Sequence, residues 1–502
     1  MMKGRGRPSI RFSLLASIVG LLSGSLFLLA DQDEPLRPQF HFSPARNFMN
    51  DPNGLAFFGG EYHLFYQHNP EGDRWGHMSW GHAVSRDLLH WRHLDVALRE
   101  ENGIMIFSGS ALVDREDASG LCGGRPCLVA VYTGFTPERQ TQNIAWSRDR
   151  GRTFTKYAGN PVLDFGLKDF RDPKVFWHAE TKRFVMLAVL PDQHKVRFFG
   201  SRDLKRWETL SDFGPAGATG GVWECPDLFP LPAEGEPGVT RYVLDVDLNP
   251  GGVAGGSGGQ YFVGTFDGAR FTNDNPATTT LWADYGKDFY ASLSFSDLPP
   301  EDGRRIWMGW MGNWLYANEE PTSPWRGLQS VPRALALRRL PEGLRLVQSP
   351  VAELASLRVK TDPTLVSRSA PLPGSADIEL EAVRGAWSEA GLRLSNGTGE
   401  EVVVGVAQEP LRVFVDRRRS RATAFHDEYP GRHEGPLRWR GDRVTLRVLF
   451  DRSSLEVFAN DGETVVSERV YPTRPLDRLE ILGAGQAVPE PARLHELRSV
   501  WR

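Results

Sequence analysis

The chain has 502 residues, too many for one ordinary hydrophobic core, which predicts two domains. Its 59 basic and 63 acidic residues leave a net charge of −4, and this balance argues against nucleic acid or an acidic polymer as a partner. The 52 glycines, 35 prolines and 15 tryptophans favour an all-β protein with many turns.

Residues 1–30 have the layout of a secretory signal. A cationic flank comes first and consists of Lys3, Arg5, Arg7 and Arg11. An uncharged apolar run over residues 12–30 follows, with Ala30 at a candidate cleavage point. Because the run is long and Leu28 stands where a small residue is preferred, an uncleaved membrane anchor is the alternative. We therefore expect a secreted or periplasmic protein, or one anchored on the outer side of the membrane by residues 12–30.

Short strand-like runs bounded by turn residues dominate residues 51–341, with hardly any helical period. A weak internal repeat runs through them. Its copies are Ser85-Arg86-Asp87, Ser147-Arg148-Asp149 and Ser201-Arg202-Asp203, each followed by an aromatic residue. The offsets, 147 − 85 = 62 and 201 − 147 = 54 residues, suit four-stranded propeller blades. About five such blades fit residues 36–345.

Three stretches share a carboxylic acid, a proline within two residues and a neighbouring aromatic residue. They are residues 47–54, 170–173 and 223–227. In the first, Pro52 pushes Asp51 towards extended geometry and Gly54 permits a bend, which predicts an acid held at a tight turn. One such stretch is typical of a surface turn. Three of them predict an active site, because strands of different blades converge on the propeller axis and can bring Asp51, Asp172 and Glu224 together.

The three cysteines fit an exported protein. Cys122 and Cys127 lie within Cys-Gly-Gly-Arg-Pro-Cys, where a disulfide could close a small loop in an oxidising compartment. Their spacing does not match a zinc motif, since no second Cys or His pair accompanies it. Cys225, next to Glu224, is expected to be a small buried neighbour of the acid and not a nucleophile. We expect no metal and no cofactor.

A second region follows a linker over residues 346–362. Residues 363–502 contain several segments that alternate apolar and polar side chains, which is the pattern of antiparallel strands and predicts a β-sandwich. The run Arg417-Arg418-Arg419 is expected to be a solvated loop, with an anion site as the alternative.

Residues 49–54, 171–173 and 224–226, in that order, resemble the three acidic motifs of glycoside hydrolase family 32. This family contains the β-fructofuranosidases, namely invertases, exo-inulinases and levanases. Further similar stretches are residues 107–110, 288–292 and 450–454. The resemblance extends from about Arg37 to the C-terminus. It implies an all-β fold with a five-bladed β-propeller followed by a C-terminal β-sandwich.

The resemblance also implies roles for the acids. Asp51 is expected to be the nucleophile, Glu224 the general acid and then base, and Asp172 a stabiliser that hydrogen-bonds to fructose hydroxyls. A retaining mechanism predicts that the carboxyl groups of Asp51 and Glu224 lie about 5–5.5 Å apart. We further expect Trp223 to form an apolar wall beside Glu224, and Arg171 to orient Asp172 and keep it charged.

Sugar recognition requires hydrogen-bonding groups and aromatic surface. By match to the family motifs, the substrate-binding residues are expected to be Asn50, Gln67, Trp75, Phe107, Ser108, Arg171 and Trp314. Ordinary core packing is the alternative for Trp75 and Trp314. Phe48 stands where the family usually has Trp, which predicts a change in affinity or specificity without loss of activity.

Residues 313–318 and 321–325 resemble exo-acting levanases and inulinases more than intracellular sucrose-phosphate hydrolases. The predicted function is therefore an exported retaining hydrolase that releases terminal β-D-fructose from fructans and sucrose. A sucrose-preferring invertase is the alternative within the class. From another class, a catalytically inactive carbohydrate-binding protein could use the same scaffold, although the complete set of three acids argues against it.

Overall fold

The structure, a computed structural model, describes Met1 and residues 34–501, so the predicted signal or anchor lies almost entirely outside the described residues. Over residues 34–501 the helical structure consists of two short 3₁₀ segments, Pro191–Gln193 and Ala352–Leu357. Nothing in this part of the chain forms a helix of the length and apolar character that a membrane span requires.

Residues 47–350 form five antiparallel sheets, each built mainly from consecutive strands. The first contains β1 (Asn47–Phe58), β2 (Glu61–Asn69), β3 (Ser79–Ser85) and β4 (Arg92–Leu98). The second contains β5 (Met105–Asp114), β6 (Cys127–Thr136), β7 (Arg139–Ser147) and β8 (Thr155–Lys156). The third contains β9 (Arg171–His178), β10 (Arg183–Leu190), β11 (Lys195–Ser201) and β12 (Glu208–Phe213).

The fourth and fifth sheets are slightly less regular. The fourth contains β13 (Val222–Pro232), β14 (Thr240–Asn249), β15 (Gly258–Phe266), β16 (Phe271–Asn273) and β17 (Leu281–Trp282). The next strands in the chain are β18 (Tyr290–Ser294), β19 (Arg305–Trp310), β20 (Trp325–Arg326), β21 (Arg333–Leu340) and β22 (Gly343–Pro350). Of these, β18, β19, β21 and β22 form the fifth sheet, whereas β20 pairs in parallel with β1 of the first.

The first strands of the five sheets, β1, β5, β9, β13 and β18, neighbour one another in a closed ring. The sheets are therefore the blades of a five-bladed β-propeller, as predicted. Apolar side chains fill the space between adjacent blades. Val131 and Ile144 of the second blade, for example, pack with Val175 and Met186 of the third. Because neighbours cover both faces of a blade, middle strands such as β10 are buried along almost their whole length.

The Ser-Arg-Asp repeat marks equivalent turns in the first three blades. Each serine is the last residue of the third strand in its blade, β3, β7 or β11. Its hydroxyl donates to the aspartate two residues later, at 3.0 Å for Ser85 and Asp87, 2.7 Å for Ser147 and Asp149, and 3.3 Å for Ser201 and Asp203. The sequence repeat therefore reflects a repeated turn that leads out of the third strand.

A disulfide joins Cys122 and Cys127 in the loop between β5 and β6, with Cα atoms 5.3 Å apart. The carboxylate of Asp117 accepts the backbone N–H groups of Cys122 at 2.7 Å and Gly124 at 2.6 Å. Asp114 lies close to these groups, but the Cys122 sulfur is already bonded to Cys127. The carboxylates therefore organise the loop through backbone hydrogen bonds.

Two six-stranded antiparallel sheets form a sandwich after β22. Their strands are β23 (Thr364–Val366), β24 (Ser369–Pro371), β25 (Ser375–Val383), β26 (Glu389–Ser395), β27 (Glu401–Gln408), β28 (Leu411–Asp416), β29 (Arg432–Pro436), β30 (Arg443–Asp451), β31 (Ser454–Ala459), β32 (Thr464–Arg469), β33 (Arg478–Leu482) and β34 (Ala492–Glu496). One sheet has the order β23-β34-β25-β30-β31-β32 and the other β24-β33-β26-β27-β28-β29. Alternate residues such as Ile378, Leu380, Val404 and Val448 form the core between them.

Buried charges connect the sandwich to the propeller. Arg333 of β21 is fully buried and pairs with Asp284 of the propeller at 3.1 Å and with Glu456 of the sandwich. His41 precedes the first blade and lies between Asp451 and Glu456. Burial alone would lower the pKa of His41, but its bonds to these two carboxylates raise the pKa to about 9.

The expectation of a solvated Arg417–Arg419 loop is wrong for its first residue. Arg418 and Arg419 are exposed, but Arg417 is completely buried and pairs with Asp288 and Glu468. Its neighbours in sequence gave no sign of this, because the two carboxylates come from distant parts of the chain.

Candidate active site

The first strands of the five blades, β1, β5, β9, β13 and β18, are the inner strands of the propeller. Each of them carries a β-bulge, at which it has one residue more than the strand paired with it. The irregular steps lie between Met49 and Pro52 in β1, Phe107 and Gly109 in β5, Arg171 and Lys174 in β9, Glu224 and Asp227 in β13, and Tyr290 and Leu293 in β18. A bulge redirects the side chains around it. All three acids lie at these steps, so the acid-proline motifs encode bulges that aim carboxylates at the propeller axis.

The expectation that Asp51 lies at a tight turn is therefore wrong, since it lies inside β1. Proline tolerates this position because a bulge on the innermost strand leaves its missing N–H without a required partner. Asp172 and Cys225 adopt positive φ angles of 62° and 46° at the bulges of β9 and β13. Such angles are uncommon for residues other than glycine, and they are frequent at functional sites.

Asp51 is 7% exposed and its two oxygens have different partners. Asn50 donates to Oδ1 at 2.9 Å, and Ser108 of β5 donates to Oδ2 at 2.6 Å. Burial and the nearby negative charge of Glu224 raise the pKa of Asp51 to about 6, although the bonds from Ser108 and Asn50 oppose this rise. Asp51 is thus ionised at neutral pH and takes up a proton in mildly acidic solution.

Asp172 is buried beside Asp51. Its Oδ2 accepts the backbone N–H of Cys225 at 2.9 Å, and the Cys225 sulfur lies 3.7 Å from that oxygen and 3.6 Å from Oδ2 of Asp51. Burial raises the pKa of Asp172 to about 7, opposed by Arg171 and reinforced by Glu224. Burial and the surrounding carboxylates also raise the pKa of the Cys225 thiol well above its usual range. Cys225 is thus a neutral spacer between Asp51 and Asp172, whereas its sequence context indicated only a small neighbour of Glu224.

Glu224 receives hydrogen bonds on both carboxyl oxygens. Arg171 donates to Oε1 from Nε at 3.2 Å and from Nη2 at 3.1 Å, and the hydroxyl of Tyr290 donates to Oε2. The nearest approach of Arg171 to a carboxylate oxygen of Asp172 is 3.8 Å. The expected orienting contact is therefore absent, because the guanidinium donates its hydrogen bonds to Glu224. Its positive charge still favours the ionised form of Asp172, as expected, since it opposes the rise in the pKa of that acid.

Trp223 does not form the expected wall beside Glu224. Consecutive residues of a strand point to opposite faces, and the Trp223 ring packs in the core between the third and fourth blades. Its indole N–H donates to the Ala218 carbonyl at 3.0 Å. Instead, Asp247 of β14 lies directly across the strand pair from Glu224. Burial and the charges of Asp245, Asp51 and Glu224 raise the pKa of Asp247 well above its usual range, which favours its protonated form behind the site.

The expected substrate-binding residues occupy different positions around the acids. Asn50, Ser108 and Arg171 bond directly to catalytic candidates, as described above. Gln67 is buried, and its amide donates to the Ile106 carbonyl at 3.0 Å. Trp75 is 40% exposed in the loop between β2 and β3, with its ring 6.0 Å from that of Phe107.

Trp314 forms part of an apolar wall next to the acids. Its ring lies 6.3 Å from Phe48 and 4.8 Å from Trp310, and the same cluster contains Tyr290 and Cys225. Phe48 itself is fully buried behind this wall and stacks against Trp314.

Tyr290 is the functional candidate that sequence reasoning missed. It occurs in the family-like stretch of residues 288–292, but nothing local indicates that its hydroxyl reaches Glu224, 66 residues away. Its position at the bulge of the fifth inner strand, equivalent to that of the acids, is visible only in the structure.

Comparisons with known proteins give the family of the chain. The profile of the glycosyl hydrolases family 32 N-terminal domain matches residues 41–350, and that of the family 32 C-terminal region matches residues 347–494. A levanase of Bacillus subtilis (strain 168) is 46% identical over 485 residues, which cover 93% of this chain and 71% of the levanase. An extracellular exo-inulinase of Aspergillus niger is 38% identical over 517 residues, covering 93% of this chain and 96% of that protein.

Solved structures show the same fold. The crystal structure of an exo-inulinase from Aspergillus awamori superposes with a TM-score of 0.89 at 35% sequence identity, covering 94% of this chain and 100% of the exo-inulinase. Together with the two family profiles, which span most of the sequence, these similarities establish that the chain belongs to glycosyl hydrolase family 32.

Proposed function

We propose that this protein is an exported retaining β-fructosidase that releases terminal β-D-fructose from fructans such as levan and inulin, and from sucrose. The observation that carries the proposal is the set of three carboxylates, Asp51, Asp172 and Glu224, on bulges of three inner strands. The similarity to a levanase and to exo-inulinases supports fructans as the substrate class.

In the first step, Asp51 attacks the anomeric carbon of the terminal fructose while Glu224 protonates the leaving oxygen. This produces a covalent fructosyl-enzyme. In the second step, Glu224 removes a proton from water, which displaces Asp51 and releases fructose with retained configuration. Ser108 and Asn50 support the nucleophile, since their hydrogen bonds to Asp51 favour its ionised form.

Arg171 and Tyr290 hold the acid-base residue in one orientation from two different inner strands. A tyrosine hydroxyl can donate or accept, so the Tyr290 contact can persist when Glu224 is charged and when it is protonated. The guanidinium of Arg171 stabilises the carboxylate form that exists after Glu224 has transferred its proton.

Fructose would bind between Asp172, Asn50 and the aromatic wall. Oδ1 of Asn50 is buried and has no hydrogen-bond partner within residues 34–501. Buried acceptors are rarely left unpaired, and a fructose hydroxyl would satisfy this one. Asp172 would bind further hydroxyls, and the rings of Trp75, Phe107 and Trp314 offer surface for the C–H face of the sugar.

Export and domain limits complete the proposal. A cleaved signal at residues 1–30 would release the enzyme to reach a polymer outside the cell, and the alternative anchor would keep it on the outer surface. N-terminal sequencing of the mature protein separates the two, since cleavage predicts a start near Asp31. We assign the propeller to residues 36–350, because β22 (Gly343–Pro350) completes the fifth blade and runs past the expected limit at residue 345. The linker is then 351–362 and the sandwich 363–502.

The test is hydrolysis of sucrose, inulin and levan in parallel, with the products sized over time. Fructose as the sole early product from a polymer is the expected result, and the first anomer seen by NMR should be β. Activity on sucrose alone would replace the proposal with an invertase. Early oligosaccharides would indicate endo cleavage, and binding of these sugars without turnover would indicate an inactive carbohydrate-binding protein.

A further inference from the structure

Arg417 of the sandwich contacts the propeller just behind the proposed active site. Its Nη1 donates to Oδ2 of Asp288, and its Nη2 donates to the hydroxyl of Tyr316 at 2.8 Å. The Tyr316 hydroxyl in turn donates to Oδ1 of Asp288 at 2.5 Å. These three side chains are buried and form a closed triangle in which one member comes from the second domain.

The sandwich holds the guanidinium of Arg417 rigidly. Its Nε donates to the carbonyl of Tyr429 at 2.9 Å, and its Nη1 also donates to the carbonyl of Arg469 at 2.8 Å. Glu468 pairs with it at 2.8 Å. Because every nitrogen of the guanidinium has a hydrogen-bond partner, the guanidinium of Arg417 is held in one position and orientation against the propeller.

The two propeller residues in the triangle lie next to active-site groups. Asp288 is two residues before Tyr290, which bonds to Glu224, and Tyr316 is two residues after Trp314 of the apolar wall. Asn313 links the two segments by donating to the Lys287 carbonyl at 2.8 Å. A shift at Asp288 would therefore move the start of β18 and the Trp314 loop together.

We propose that Arg417 is a positioning residue of the hydrolase, acting from the sandwich through Asp288 and Tyr316 on Tyr290 and Trp314. This inference rests on the proposed function, because it assigns Glu224 as the acid that Tyr290 orients. Small displacements of a catalytic group by a distant substitution can cost a factor of about 10² in rate. The second domain would thus contribute to catalysis as well as to folding.

Arg417→Lys and Tyr316→Phe are the informative variants. The lysine retains the charge but cannot make the forked contact with Asp288 and Tyr316, and the phenylalanine removes only the hydroxyl of the triangle. Arg333→Lys is the matched control. Arg333 is an equally buried arginine at the same interface, but its carboxylate partners are Asp284 and Glu456.

The readout is the ratio of kcat/KM for sucrose to kcat/KM for p-nitrophenyl β-D-fructofuranoside, measured with thermal unfolding midpoints. A displaced acid affects a poor leaving group more than a good one. We expect Arg417→Lys to lower kcat/KM for sucrose on the order of 10-fold, mainly in kcat, and to lower that for the aryl fructoside by less than about 3-fold. Arg333→Lys should lower the unfolding midpoint and leave the ratio unchanged.

An unchanged ratio in folded Arg417→Lys would overturn the inference, and so would a ratio that changes equally in Arg333→Lys. If Arg417→Lys does not fold, the same ratio of kcat/KM values is measured for Tyr316→Phe. This variant should fold, since its ring keeps the packing against Phe425 and Tyr429. The wild-type protein separates the two proposals. A wild type that hydrolyses neither substrate contradicts the proposed function, whereas an active wild type with an unchanged ratio in the variants contradicts only the role of Arg417.

Discussion

Arg171 donates two hydrogen bonds to a single oxygen of Glu224, at 3.2 Å from Nε and 3.1 Å from Nη2. The other oxygen of Glu224 accepts from Tyr290, so residues of β9 and β18 orient a carboxyl group that belongs to β13. Asp172 instead depends on the Cys225 backbone N–H and on its burial. Each carboxyl group of the site thus has its own set of partners, which allows the three acids to perform different tasks.

Asp51→Asn tests the nucleophile. An amide cannot form the fructosyl-enzyme, so kcat for sucrose or inulin should fall by a factor of about 10⁴ or more. Asp114→Asn is the control, because Asp114 is also buried but accepts the N–H groups of Ala118 and Ser119 in the loop after β5. Turnover near the wild-type rate in a folded Asp51→Asn protein would rule out this assignment.

Glu224→Gln tests the general acid. Loss of the proton donor should slow sucrose hydrolysis by about 10²–10⁴-fold and affect an aryl fructoside less, because its leaving group needs little protonation. Azide, a nucleophile that requires no general base, should restore part of the turnover of the aryl substrate. Equal losses on both substrates would show that Glu224 has another role.

The raised pKa of Asp51, about 6, predicts the acid limb of the pH profile. The nucleophile must be ionised, so kcat/KM should fall as the pH drops through about 6. Because Asp51 and Asp172 lie close together, the apparent pKa of this limb belongs to the pair. Ser108→Ala removes a hydrogen bond that lowers the pKa of Asp51 and should therefore move this limb to higher pH.

Ser110→Ala is the control for that shift. Ser110 lies two residues further along β5 and bonds to the Pro173 carbonyl instead of Asp51. A profile that is identical in Ser108→Ala and the wild type would mean that the Ser108 contact does not influence the titration of Asp51.

Asp172→Asn should stabilise the fold at the expense of activity. The folded-state pKa of Asp172 is about 7, against an ordinary value of 3.8, so the fold disfavours its charged form. This destabilisation is fully present above pH 7 and disappears below pH 3.8. The free energy of unfolding of the variant should therefore exceed that of the wild type by on the order of 1–4 kcal/mol at pH 8, and by less at pH 5. Unfolding midpoints at the two pH values measure this, and a lower midpoint at pH 8 would contradict it.

Local patterns in the sequence were sufficient for the fold class. The alternating strands, the Ser-Arg-Asp turns and the spacing of about 54 to 62 residues predicted blades, and alternation after residue 363 predicted a sandwich. The acid-proline stretches identified Asp51, Asp172 and Glu224 as one group. All of these signals are short-range, because strand periodicity and turn chemistry involve residues that are close in the chain.

The partners of these residues depend on packing between strands that are far apart in sequence. Arg171 reaches Glu224 across 53 positions, Tyr290 reaches it across 66, and Arg417 reaches Asp288 across 129. A one-residue bulge also decides which face of the sheet a side chain occupies. Asp51 was expected at a tight turn but lies at such a bulge within β1. Neither a long-range contact nor a bulge leaves a periodic trace in the chain, so these features emerge only when the blades and the sandwich are assembled.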